Sequence, residues 1–101
     1  MENLKDHIDL EEYALQGKTP PKKAKYLIKV DKKKYPVDVE SMTGKEILEL
    51  AGKLPAENFQ LRQKMKGGTV KKIGLNEKVD FTEPGVEKFM TIPLDQMEGQ
   101  L

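Results

Sequence analysis

Apolar and polar residues alternate with a period of two in several stretches of this chain, and with a helical period in one. In 25–31 the apolar Tyr26, Ile28 and Val30 share one face, the pattern of a half-buried strand. Residues 35–40 alternate in the same way, with Tyr35, Val37 and Val39 expected inward and Asp38 and Glu40 outward. Pro36, which cannot donate to a ladder, puts the start of that strand on an edge. The three lysines Lys32, Lys33 and Lys34 lie between these runs, and a loop of three or four residues is expected there. Alternation returns in 59–64, a short strand follows at 70–73, and 86–93 closes the series with Phe89, Met90 and Ile92.

Between the second and third strands the period changes. Ile47, Leu50, Ala51 and Leu54 recur at helical spacing, so they are expected to face the core as one stripe. Thr43 and Glu46 stand three positions apart, the spacing of a capping box, and Pro55 is expected to close the helix. Gly67-Gly68 is followed by further strand-like sequence and reads as a turn, while Leu75, Val79 and Phe81 plug an irregular stretch. The order is strand, strand, helix, strand, short strand, strand. A one-sided helix must cover a sheet. This order predicts an α+β, β-grasp architecture: a mixed sheet of four to five strands, its first and last strands central and parallel, with one helix packed across it.

The segments outside this pattern divide the chain into an arm at 1–24, a domain at 25–94 and a tail at 95–101. Within the arm, Ile8, Leu10, Tyr13, Ala14 and Leu15 form a short apolar pattern in acidic surroundings before Gly17, Pro20 and Pro21 interrupt it. A helix of that length is marginal alone, so the arm either docks on something or stays mobile. Docking through Leu10, Tyr13 and Leu15 on the domain of the next copy would give a head-to-tail homo-oligomer.

Charge sharpens the contrast between segments. Overall the chain is near neutral, at +1. Residues 1–16 carry one lysine against five carboxylates, a net of −4, and residues 17–35 carry eight lysines against one aspartate, a net of +7. The lysines lack arginine clusters or an aromatic platform, so they read as solvated turns and no nucleic-acid partner is expected. With no cysteine, a single histidine (His7) and no paired carboxylates, the sequence offers no catalytic residue, metal site or cofactor site, and an enzyme is not expected. No run has membrane-spanning length and no signal peptide is legible, which points to a cytoplasmic protein without a membrane partner.

Four pieces in order, Tyr26-Leu27-Ile28-Lys29-Val30-Asp31, Thr43-Gly44-Lys45-Glu46-Ile47-Leu48, Leu75-Asn76-Glu77-Lys78-Val79-Asp80 and Pro84-Gly85-Val86-Glu87-Lys88-Phe89, resemble the bacterial multiubiquitin family. The likeness runs over roughly 17–94. It implies a ubiquitin-like fold and a protein modifier, or its precursor, served by activating-enzyme-like, conjugating-enzyme-like and deubiquitinase-like partners, in some systems within antiphage defence. Such a modifier reacts through its C-terminal carboxylate, and a glycine near the end lets backbone approach the reacting atoms closely. Gly99 is suitably placed, but Gln100 and Leu101 follow it, so the chain departs from a terminal diglycine. Trimming after Gly99, activation of Leu101 itself, or no conjugation at all remain the alternatives, the last matching a self-assembling module built on the arm.

Overall fold

The structure, a computed structural model, describes residues 6–95. Its larger sheet is built from β1 (His7–Asp9), β2 (Lys25–Val30), β3 (Lys33–Val37), β5 (Phe59–Met65), β6 (Val70–Ile73) and β8 (Val86–Pro93). β2 pairs with β3 along one edge and, along the other, with β1 at its start and β8 at its end; β5 and then β6 follow β8. β2 and β8 run parallel and meet at Val30 and Phe89, as the sequence leads one to expect of its first and last strands. A second, two-stranded sheet pairs β4 (Ser41–Thr43) with β7 (Lys78–Asp80). Among the described residues, two short α-helices, α1 (Leu10–Leu15) in the arm and α2 (Gly44–Leu50) after β4, and a single 3-10 turn at Ala56–Asn58 complete the fold. This is the mixed sheet and principal helix of an α+β, β-grasp domain.

The inward face of β2 carries Tyr26, Ile28 and Val30, all 2% exposed or less. They join Ile47 and Leu48 of α2, Leu61, Phe81 and Phe89 in one buried cluster. Burying each large apolar side chain of this kind contributes about 1.5–3 kcal/mol. Phe81 lies against Tyr26 at a centroid distance of 6.1 Å. Asp31 locks the central seam: its backbone N–H donates to the Phe89 carbonyl, and its carboxylate accepts from the Thr91 amide (2.9 Å) and hydroxyl (2.7 Å).

The sequence reading needs correction at five places. The β2–β3 connection is a two-residue turn at Asp31 and Lys32, because Val30 pairs with Lys33 and Asp31 takes the left-handed φ of 58° that a glycine would otherwise supply. β3 stops at Val37, so Val39 falls beyond the ladder and is exposed. The stretch expected to be irregular contains β7, and its plugs Val79 and Phe81 are buried.

α2 ends before Pro55 is reached. Gly52, at φ 75°, donates to Glu49, and Lys53 donates to Leu48 at 2.9 Å, the paired bonds of a Schellman closure. Leu54 therefore leaves the stripe and is 62% exposed, while Leu48 is fully buried in its stead. Finally, the packed unit begins within the arm, since β1 pairs in parallel with the first three residues of β2 and Leu10 and Ala14 are both 2% exposed.

Candidate functional site

Two surfaces carry the features that the sequence singles out: the seat of the arm, and the ground from which the tail departs. The arm is shaped locally. Asp9 caps α1 by accepting from the amides of Glu11 and Glu12, and Gly17, at φ 71°, closes it by the same bond pattern as Gly52, with Lys18 donating to Tyr13. Glu11 reaches Lys29 at 3.2 Å and Lys34 at 3.4 Å, and Asp9 reaches Lys34 at 2.5 Å. Lys29 alternates with the buried face of β2 and pairs with Lys34 across the ladder. The arm helix thus sets its acidic first turn beside Lys29 and Lys34 while Leu10 enters the buried cluster. Lys34 has its ammonium held charged above the usual lysine range by the hydrogen bond to Asp9, opposed by desolvation and helped by the nearby Asp9 and Glu11 charges.

The three arm residues expected to form one docking face are distributed differently. Leu10 is inside the buried cluster, Tyr13 is half-buried beneath the Lys18 ammonium (5.7 Å from the ring centroid), and Leu15 is 57% exposed. Leu10 and Leu15 stand five residues apart, and on a helix that spacing does not share a face. Gly99 and Leu101, the expected conjugation positions, lie outside the described residues.

At the far end of β8 the chain passes Pro93, opposite Phe59 of β5, and continues through Leu94 and Asp95. Two hollows open beside it. The larger, about 510 Å³, is lined by Leu54, Phe59, Pro93 and Leu94 together with the polar Glu57, Asn58 and Asp95. The smaller, about 260 Å³, lies across Phe59 and Leu94 and is walled by Ile73 and Leu75, with Lys72 at its edge. The Lys53 ammonium stands 5.9 Å from the Phe59 ring centroid. Leu54 and Phe59 are the residues that sequence reasoning missed. Gly52 was the available signal: a glycine two positions before Leu54 ends the helix early and turns that leucine off its stripe.

Among the described residues no group of three or more His, Cys, Asp or Glu side chains is arranged to hold a metal ion. None of their helices is long and apolar enough to cross a membrane.

An α+β sheet grasping a helix, with its first and last strands parallel at the centre, is the arrangement of a ubiquitin-like fold. The multiubiquitin family model matches residues 26–93, more than half of the sequence, and the chain belongs to that family. No curated protein and no solved structure matches the chain.

Proposed function

We propose that this chain is a bacterial ubiquitin-like protein modifier, or the precursor of one, conjugated through its C-terminal tail by activating- and conjugating-enzyme-like partners and removed by deubiquitinase-like ones, with antiphage defence as the setting. One observation carries the reading. A multiubiquitin-family domain ends its central strand at Pro93, and Gly99 follows four residues beyond Asp95. Fully extended, four residues span about 14 Å, enough to carry a carboxylate at Gly99 away from the sheet into a narrow enzyme site.

In the chemistry this requires, the carboxylate attacks the α-phosphorus of ATP and expels pyrophosphate, giving an acyl adenylate. A thiol or hydroxyl of the partner enzyme then displaces AMP and loses its proton. An amine of the target finally displaces that thiol or alcohol and forms an amide. None of these steps needs a catalytic group from the modifier. The domain serves as the handle by which each enzyme recognises the chain, and the tail carries the reacting atom, whether at Gly99 after trimming or at Leu101.

The test is a denaturing gel and intact-mass profile of the protein recovered from its native cells. Adducts that survive denaturant and vanish when residues 95–101 are deleted support conjugation through the tail. A profile containing only the free chain contradicts it.

The seat of the arm favours a second reading, a self-assembling module. The strand pairing that anchors the arm is three residues long, and the carboxylates of Asp9 and Glu11 meet Lys29 and Lys34 on a face that another copy's arm would fit equally well. Reversed-charge partners test this. A D9K/E11K chain mixed with a K29E/K34E chain should restore assembly that neither shows alone, and a mixture that sediments as two monomers rules the exchange out.

A further inference from the structure

We infer that the cations of β5, β6 and β8 on the face turned away from the core form a docking surface for an acidic protein segment in which apolar side chains alternate with carboxylates. Leu61, Gln63, Ile73 and Phe89 are buried on the core side of these strands. The residues that alternate with them turn the other way. Directly paired residues share a face, so Lys72, Arg62 and Met90 stand in one row across the three strands, and Val70, Lys64 and Lys88 in the next. Gln60 and Ile92 form a third. Four cations thus share this face with Met90, Ile92 and the exposed Val70.

Like charges directly opposite one another weaken a ladder. Here that happens twice, since Arg62 faces Lys72 and Lys64 faces Lys88. Lys64 meets the Glu87 carboxylate at 3.5 Å. Among the described residues no carboxylate meets Arg62, Lys72 or Lys88. Arg62 donates from Nε to the Gln60 Oε1 at 2.7 Å, which fixes the guanidinium and leaves both its terminal amino groups for a bidentate carboxylate.

The neighbouring hairpin shows which chemistry relieves such a pair. Lys29 faces Lys34 in the same way, and there the chain supplies Asp9-Leu10-Glu11. Both carboxylates reach the lysines, and the leucine between them is buried. Arg62 and Lys72, with Met90 beside them, repeat the facing cations and the apolar neighbour without an acidic segment. Charge complementarity selects carboxylates, and Met90, Ile92 and Val70 select apolar side chains between them, which a phosphate backbone does not offer.

The experiment titrates the full chain with a short blocked peptide that alternates glutamate with leucine and follows the backbone amides by NMR. Amides of β5, β6 and β8 should shift. Arg62→Glu/Lys72→Glu should weaken binding at least tenfold. Lys22→Glu/Lys23→Glu, an equal change of charge in the segment before β2, should weaken it less than twofold. A peptide alternating glutamate with serine should bind at least tenfold more weakly than the leucine peptide. Should the reversed-charge chain fail to fold, Arg62→Gln/Lys72→Gln should still lose at least threefold. Equal losses from the two double variants, equal binding of the two peptides, or no shift at all overturn the inference. Shifts centred on β2 and β3 overturn it too, since the peptide would then be displacing the arm. Tighter binding of a short oligodeoxythymidylate would make the face a phosphate surface. Self-association of the free chain that Arg62→Glu/Lys72→Glu abolishes would make it a contact between copies, and either result contradicts an acidic partner. Every outcome stands whether or not the tail is conjugated.

Discussion

The two helices, α1 and α2, are built to nearly the same local specification and do different work. Each is short, six and seven residues. Each opens on a side-chain cap, Asp9 or Thr43, and each closes on a glycine in the left-handed region, Gly17 or Gly52. α2 sends Ile47 and Leu48 into the centre of the core, both wholly buried. α1 contributes Leu10 and Ala14 at the start and middle of one turn and a half, and its side-chain contacts to β2 and β3 are ionic, through Asp9 and Glu11. Exposed ion pairs contribute about 0–1 kcal/mol each, far less than a buried leucine. Caps therefore decide where a helix starts and stops, whereas the packing underneath decides whether it can leave.

The largest effect should come from truncating α2. Ile47→Ala or Leu48→Ala should cost about 2–5 kcal/mol in a urea titration, a large share of a small domain's stability. Leu10→Ala should cost less in the same titration, because the arm can detach while the rest of the sheet survives. Amide exchange should show this directly, with α1 opening at a free energy well below that of global unfolding and α2 opening only with it.

Glycines sharpen the comparison next. A Cβ on Gly44, at the start of α2, would sit 2.3 Å from the Gly74 carbonyl oxygen, so Gly44→Ala has to move backbone. Gly52→Ala meets open space and costs only its left-handed φ, about 1–2 kcal/mol. In thermal melts Gly44→Ala should be clearly the worse of the two. If both shifted the melt equally, the close approach of α2 to the β6–β7 connection would be wrong.

Caps come third. Thr43→Ala removes a reciprocal capping box, in which Thr43 accepts from Glu46 and Glu46 accepts from the Thr43 amide at 2.8 Å, and should cost about 1 kcal/mol. Those bonds hold the Glu46 carboxyl below its usual range, the backbone bond most of all. The contribution is present above the ordinary glutamate pKa near 4.5 and is lost as pH falls through the lower folded value.

The smallest effect concerns the arm alone. Lys34 is raised in the folded chain, so its contribution is complete below the ordinary lysine pKa of 10.5 and is lost as pH rises through the higher folded value. Raising salt to about 1 M, where charges are screened within about 3 Å, should act in the same direction. Both should speed exchange in α1 and leave α2 unchanged.

What could be read from the sequence follows the same division. Period-two alternation located β2 and β5 closely, because each has one buried face and the alternation reports it. Thr43 with Glu46 located the start of α2, since a cap acts within one turn. The misses all depended on contacts distant in sequence or on a change of backbone direction. Val39 kept the alternation but lay past the end of the ladder. Leu54 kept the helical spacing but lay past Gly52. β7 could not be seen, because only its partner β4, more than thirty residues earlier, makes it a strand. Leu10 looked like an arm residue because nothing local says that β1 pairs with β2. The hollow beside Leu94 was hidden for a related reason: its lining comes from the segment after α2, from β5 and from the end of β8, brought together only by the sheet.

The account turns on whether the tail becomes a covalent bond. No lysine or arginine occurs from Phe89 to Leu101, so trypsin leaves Phe89 through the conjugated residue on a target modified within that stretch. Peptide mass spectrometry of denatured protein from the native cells should find target lysines carrying Phe89 through Gly99 if the chain is trimmed, or Phe89 through Leu101 if it is not. Finding the 89–101 peptide only in its free, unbranched form would contradict conjugation.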